Sequence, residues 1–234
     1  VSTDLGVVGV GRLAYGPALE LQRTLAAQRI AGTLAHDVLL LVEHPPVVTL
    51  GRASQPQHLP VSRETLAARG VELFDIERGG DVTFHGPGQL VGYPIFSLRE
   101  HRQDLHWFLR ALEDAVIRAL DHLHVPAARR AGLTGVWTAD GTRKLASIGI
   151  HVKQWVTWHG FALNVLTDLS YFDLMVPCGI PDVVMTSVQR ELAERAPRDL
   201  WNRTHDAVIL GFAETFGQRP QAMALDELQR APAS

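Results

Sequence analysis

Twelve residues, Arg78-Gly79-Gly80-Asp81-Val82-Thr83-Phe84-His85-Gly86-Pro87-Gly88-Gln89, constrain this chain more than any other stretch. Four glycines and a proline surround one Arg, one Thr and one His, and apolar runs lie on both sides, Val71 to Ile76 and Leu90 to Leu98. Such a backbone bends sharply and lets its amides approach a partner closely. A flexible linker would be rich in Ser and Gly and would lack Phe84, His85 and the flanking strand-like runs. A tight structural turn between two strands accounts for the same glycines without any ligand. Nucleotide binding of the common kinds is not indicated, because no Gly-Lys-Ser/Thr follows and no G-x-G-x-x-G opens a helix.

The 234 residues, 46% apolar, suffice for one sizeable α/β core, and one domain is expected. A formal net charge of −3, without runs of one sign, leaves no electrostatic footprint for nucleic acid. No apolar run reaches the ~18 residues of a membrane span, and Val1-Ser2-Thr3-Asp4 lacks the basic start of a signal peptide. A cytoplasmic location without membrane contact is therefore expected. Cys178 is the single cysteine, which rules out an internal disulfide and a thiolate-rich zinc site.

From Pro17 to about Ala35, Leu19, Leu25, Ile30 and Leu34 predict an amphipathic helix with Pro17 in its first turn. Val38 to Val42 reads as a buried strand, and Val47 to Gly51 resumes an extended course after Pro45-Pro46. Asp104 is placed to cap a long helix carrying Leu105, Phe108, Leu112, Val116, Leu120 and Leu123. Asp140-Gly141 predicts the turn of a hairpin, and residues 133–165 read as an antiparallel meander. His122 and His124 suit a solvated helix end better than a metal. Trp155 and Trp158 read as packing residues. A last helix is predicted from about Asp199 to Phe216, followed by a polar tail, 218–234, expected to fray. Strands and helices do not alternate regularly, which favours an α+β arrangement with a mixed or antiparallel sheet flanked by helices.

Pro177-Cys178-Gly179-Ile180-Pro181 holds the only thiol in a stiff turn, a placement that favours exposure and reactivity over inert packing. Taken together with the glycine-rich stretch and Tyr93, Lys144-Leu145-Ala146-Ser147-Ile148-Gly149, His159-Gly160-Phe161-Ala162-Leu163-Asn164, Glu43-His44-Pro45-Pro46, Thr49-Leu50-Gly51-Arg52 and Met185-Thr186-Ser187, it closely resembles the lipoyl(octanoyl) transferases. The resemblance spans about residues 15–217 in separated motifs whose order and spacing agree.

The resemblance implies a biotin/lipoate protein ligase-like α/β catalytic domain over residues 1–217 and an octanoyl (or lipoyl) group moved from acyl carrier protein to a lysine. The implied acceptors are lipoyl domains of 2-oxoacid dehydrogenase complexes and the glycine cleavage H protein, and a monomer is expected. By motif, Cys178 is the nucleophile that carries the acyl thioester and Lys144 the group that lowers its pKa. The implied acyl-binding segments are Arg78, Gly79, Gly80, Asp81, Val82, Thr83, Phe84 and His85, then Ser147, Ile148 and Gly149, then Gly160, Phe161 and Ala162.

Residue chemistry agrees with that implication. A thioester donor is already activated, so exchange onto a thiolate needs neither ATP nor metal. A nearby ammonium raises the ionised fraction of a thiol whose ordinary pKa is ~8.5. Acceptor attack then requires a base, and Lys144 or His85 is available. Backbone amides near Cys178 and in the glycine-rich loop are candidate oxyanion donors. Arg52, Arg78, Arg143 and Lys153 are basic positions available to an acidic carrier. The competing readings are an ATP-dependent lipoate or biotin protein ligase, a Cys-dependent thioesterase, and a carrier-binding module without catalysis.

Overall fold

The computed structural model describes residues 3–229. Val1 and Ser2, part of the segment inspected for a leader, and 230–234 of the expected tail lie outside the described residues. In chain order the elements are β1 (Asp4–Arg12), α1 (Tyr15–Ala31), β2 (Asp37–Glu43), β3 (Val47–Leu50), α2 (Arg63–Ala68), β4 (Glu72–Asp75), β5 (Thr83–His85), β6 (Gln89–Ile95) and α3 (Leu105–His122). They continue with β7 (Ala127–Arg130), β8 (Leu133–Thr138), β9 (Arg143–Lys153), β10 (Val156–Asn164), β11 (Val184–Met185), α4 (Val188–Leu192), α5 (Leu200–Phe216), β12 (Arg219–Ala222) and α6 (Leu225–Gln229).

A large mixed sheet runs in the order β12-β1-β2-β6-β10-β9-β8-β7, with β11 added parallel to β9. A second sheet has the order β4-β3-β5. All of β2 from Asp37 to Val42 is buried, because both faces of the large sheet are covered. Its alternation sends Leu39 and Leu41 toward α3 and α5, where Phe108, Leu112, Val116, Val208 and Phe212 complete the core. Val38, Leu40 and Val42 face the opposite layer, with Ala18, Leu21 and Leu25 of α1. Among the described residues no helix is long and apolar enough to cross a membrane.

Local chemistry explains the helix ends. Asp104 Oδ1 accepts from Trp107 N at 3.0 Å, so the predicted cap opens α3. Helix α1 begins at Tyr15, with Pro17 in its first turn, and Gly32 ends it in a left-handed conformation, before the predicted limit of Ala35. The meander is present as β8-β9-β10, paired antiparallel throughout.

Strands at one side of the large sheet escaped the sequence reading. β1 pairs parallel with β2 and β12, and its Gly6, Gly9 and Gly11 mask its β pattern. β12 extends the sheet edge, so within the described residues the expected frayed tail is replaced by a strand and the short helix α6. The glycine-rich stretch also does more than join two strands: β5 lies inside it and belongs to the small sheet, whereas β6 belongs to the large one. That stretch is the crossing point between the sheets.

Candidate active site

The crossing creates a cleft of about 230 Å³. Its walls come from the glycine-rich stretch, from Ser147, Ile148 and Gly149 on β9, and from Gly160, Phe161 and Ala162 on β10, with Cys178 and Lys144 at one side. Motifs far apart in sequence therefore share one cavity, and two of them meet because β9 and β10 pair directly, Gly160 opposite Gly149.

Strand alternation divides the glycine-rich stretch. Asp81, Thr83 and His85 face the cleft together with Arg78 and Gly80. Val82 and Phe84 point the other way into the core of the small sheet, where Phe84 stacks on Tyr171 at 4.5 Å and meets Phe172 edge-on at 5.7 Å. Gly79 does not line the cleft either; its amide donates to Ile150 O at 2.8 Å and ties the loop to β9. Gly79, Val82 and Phe84, expected among the acyl-binding residues, thus lie outside the lining of the cleft and support it from behind. Phe84→Ala is expected to cost ~3–5 kcal/mol by emptying that small core. Urea unfolding checks the loss.

Cys178 sits at the tip of its proline-bracketed turn with φ 57° and ψ 19°, a left-handed conformation that an ordinary side chain avoids. The turn is held from outside: Cys178 N donates to Val82 O at 2.9 Å and Val176 N to His58 O at 2.8 Å. Lys144 Nζ donates to Cys178 Sγ at 3.2 Å, and Ser147 Oγ lies 3.5 Å from the same sulfur. Burial pushes the Cys178 thiol up, but the Lys144 charge, the hydrogen bonds from Ser147 and Lys144, and Arg78 prevail, so the net shift is downward. The thiolate is favoured.

Lys144 is 1% exposed, and its Nζ lies 5.4 Å from the centre of the Trp137 ring. Its aliphatic stem passes over Gly135, at φ +126°, where a Cβ would stand only 2.7 Å from Lys144 Cε. Gly135 N in turn donates to the fully buried Glu113 carboxylate on α3 at 3.0 Å, which Arg110 and Arg129 also bind. This anchors the Gly132–Thr134 segment that lines the cleft.

The cleft interior carries polar groups that sequence reasoning did not assign as site residues. Tyr15, Tyr93 and His159 line it, as do Val91, Leu133 and Ile180. His44 Nδ1 donates to Leu13 O at 2.7 Å, so its Nε2 accepts from the Tyr93 hydroxyl at 2.7 Å. Gln89 donates to Phe84 O and Asn164 Oδ1, which leaves its Oε1 to accept from His85 Nδ1 at 2.8 Å. Burial pushes His85 down to about 3, so its imidazole is neutral and a weak base. Arg78 is buried, with Nη2 donating to Thr49 O and Oγ1 at 2.9 Å each, and thus does not face a carrier protein. Arg143 is engaged by Glu191 at 2.9 and 3.0 Å.

A buried lysine donating to a thiol beside a narrow cleft is an arrangement that can activate that thiol as a nucleophile. Residues 14–213 match the family described as the lipoyl protein ligase A/B catalytic domain, and the chain belongs to that family. Within it the chain groups with the octanoyltransferases. It is 50% identical over 191 residues to the octanoyltransferase of Koribacter versatilis, covering 80% of this chain and 76% of the relative. It is 46% identical to that of Chloroflexus aurantiacus, covering 92% and 96% of the two chains. Among solved structures, a lipoate-protein ligase A bound with ATP has TM-score 0.68 at 17% identity, covering 98% of this chain and 93% of that one. A bipartite lipoate protein ligase from Thermoplasma acidophilum has TM-score 0.66 at 19% identity, covering 98% and 91%. At such identities the likeness shows the fold: a lipoate ligase-like catalytic domain with a mixed sheet flanked by helices.

Proposed function

We propose that this protein transfers an octanoyl (or lipoyl) group from acyl carrier protein to a lysine of lipoyl-domain proteins through a thioester on Cys178, with no ATP and no metal. The observation that carries the reading is the 3.2 Å contact between Lys144 Nζ and Cys178 Sγ at the side of the cleft.

The Cys178 thiolate attacks the donor thioester, and the carrier's thiolate leaves with the proton of the Lys144 ammonium. An octanoyl chain lying along Val91, Ile148, Phe161 and Ala162 would gain up to ~5 kcal/mol from its six methylenes at ~0.8 kcal/mol each. The backbone amides of Cys178, Gly179 and Ile180 are engaged by Val82, Val176 and Pro177 carbonyls, so they are not free to hold the oxyanion. That role is left to the amides of the glycine-rich loop and to side-chain donors, with Ser147 Oγ in reach of the sulfur. In the second half-reaction a lysine amine attacks the acyl-enzyme, Cys178 leaves as thiolate, and neutral Lys144 accepts a proton. Lys144 is favoured over His85 because burial makes His85 so weak a base. The acceptors implied by the resemblance are lysines displayed by lipoyl domains of 2-oxoacid dehydrogenase complexes and by the glycine cleavage H protein.

Intact-mass analysis after mixing with octanoyl-acyl carrier protein tests the reading. One octanoyl adduct on Cys178, removed by hydroxylamine and transferred to a lipoyl domain without ATP, is the expected result. Acceptor modification only when ATP and free octanoate are supplied would instead establish a ligase, and release of free octanoate to water a thioesterase.

A further inference from the structure

The second half-reaction leaves one proton unplaced. A protein lysine arrives as an ammonium with three hydrogens on nitrogen and ends as an amide with one, so two protons must leave it. Neutral Lys144 accepts one of them, on the mechanism proposed above. A second base beside Cys178 and open to solvent would take the other.

The structure holds a group built for that task. His58 Nδ1 lies 2.6 Å from Asp81 Oδ2, and the other Asp81 oxygen accepts from Val82 N at 2.6 Å. A carboxylate only accepts, so Nδ1 carries the hydrogen, and in the neutral form of the ring Nε2 holds the lone pair. Among the described residues Nε2 has no hydrogen-bond partner, and the His58 side chain is 21% exposed. The imidazole packs on Gly179, the residue that follows Cys178: a Cβ there would lie 3.1 Å from His58 Cε1 and Nδ1 and would collide with Asp81 Oδ2. Consecutive Cα atoms are ~3.8 Å apart, so the ring stands one residue from the nucleophile. It lines a groove of about 760 Å³ that shares Ile180 with the cleft.

We infer that His58, oriented by Asp81, is the second base: its Nε2 takes one proton from the acceptor ammonium and releases it to solvent, while Lys144 takes the proton lost as the amide forms. The N–C bond forms, the C–S bond breaks, and the electron pair returns to Cys178. The other imidazoles at the site are poor alternatives, since His85 and His159 are buried and burial holds each near a pKa of about 3.

The inference rests on the acyl-enzyme reading, and the test separates the two. Rapid-quench intact mass on His58→Gln and the unaltered protein gives the rate of Cys178 acylation, then the rates of acyl loss to a lipoyl-domain lysine and to hydroxylamine. The amide side chain introduced by that substitution can still donate to Asp81 but cannot accept a proton. Acylation within about twofold of the unaltered protein, unchanged hydroxylamine cleavage and a lysine transfer slowed about 10²-fold are expected, because hydroxylamine is already neutral and needs no such base. Added imidazole should restore part of the loss. Acylation and transfer falling together would make His58 a brace of the cysteine turn, and unchanged transfer would exclude it as a base; either result overturns the inference. Absence of acyl-enzyme in the unaltered protein would overturn the proposed function itself.

Discussion

Cys178→Ser is expected to abolish the acyl-enzyme and lower octanoyl transfer on the order of 10⁴-fold, while leaving the unfolding midpoint within a degree or two. A serine hydroxyl fits the space but is far harder to ionise, and the Lys144 charge 3.2 Å from the sulfur position cannot close that gap. Backbone bonds from Val176 and Cys178 to His58 and Val82 keep the turn in place, so the loss is chemical, not structural. Single-turnover transfer and intact mass, read with a thermal melt, check both halves of the expectation. A serine variant that still transferred at an appreciable rate while intact mass showed no acyl group on residue 178 would mean that the acyl group does not pass through that position.

The second large effect belongs to Lys144→Met, which keeps the length of the stem and removes the charge. Burial alone pushes the Cys178 thiol up, and Lys144 supplies the leading opposing influence, so its removal shifts the thiol upward. Alkylation by iodoacetamide follows the thiolate fraction. The rate should rise with pH through a midpoint below that of an ordinary cysteine in the unaltered protein, and through a higher midpoint in Lys144→Met. Each unit between those midpoints is ~1.4 kcal/mol of differential stabilisation, and transfer at neutral pH should fall ~10²–10³-fold. Because Lys144 is 1% exposed and packs against Trp137, methionine at this site fills apolar surroundings and should not reduce stability. A profile that did not move would separate the lysine from the ionisation of the thiol.

How much of this was readable in advance depended on whether the signal was local. Helix α3 carries its period and its Asp104 cap within one segment, and the Asp140-Gly141 turn marks its own hairpin; both stand where the residues predict. β1 was hidden because three glycines dilute its pattern and its partners, β2 and β12, lie up to about two hundred residues away. The pairing of Cys178 with Lys144, 34 positions apart, came from the family's motifs; nothing in their spacing forces it. Tyr15 and Leu133 reach the cleft from α1 and β8, through tertiary packing that no short motif records. One distinction was available and unused: strand alternation through 81–85 separates Asp81, Thr83 and His85 from Val82 and Phe84.

The reactive pair is divided between the two sheets. Lys144 rides on β9 of the large sheet, whereas the cysteine turn is tethered at Val82, beside β5 of the small sheet. Neither half makes an activated sulfur by itself. A nascent or heat-damaged chain whose seam had not closed would carry an ordinary thiol, slow to seize acyl groups and slow to oxidise. The contact between Lys144 and Cys178 thus exists only once the two sheets have met.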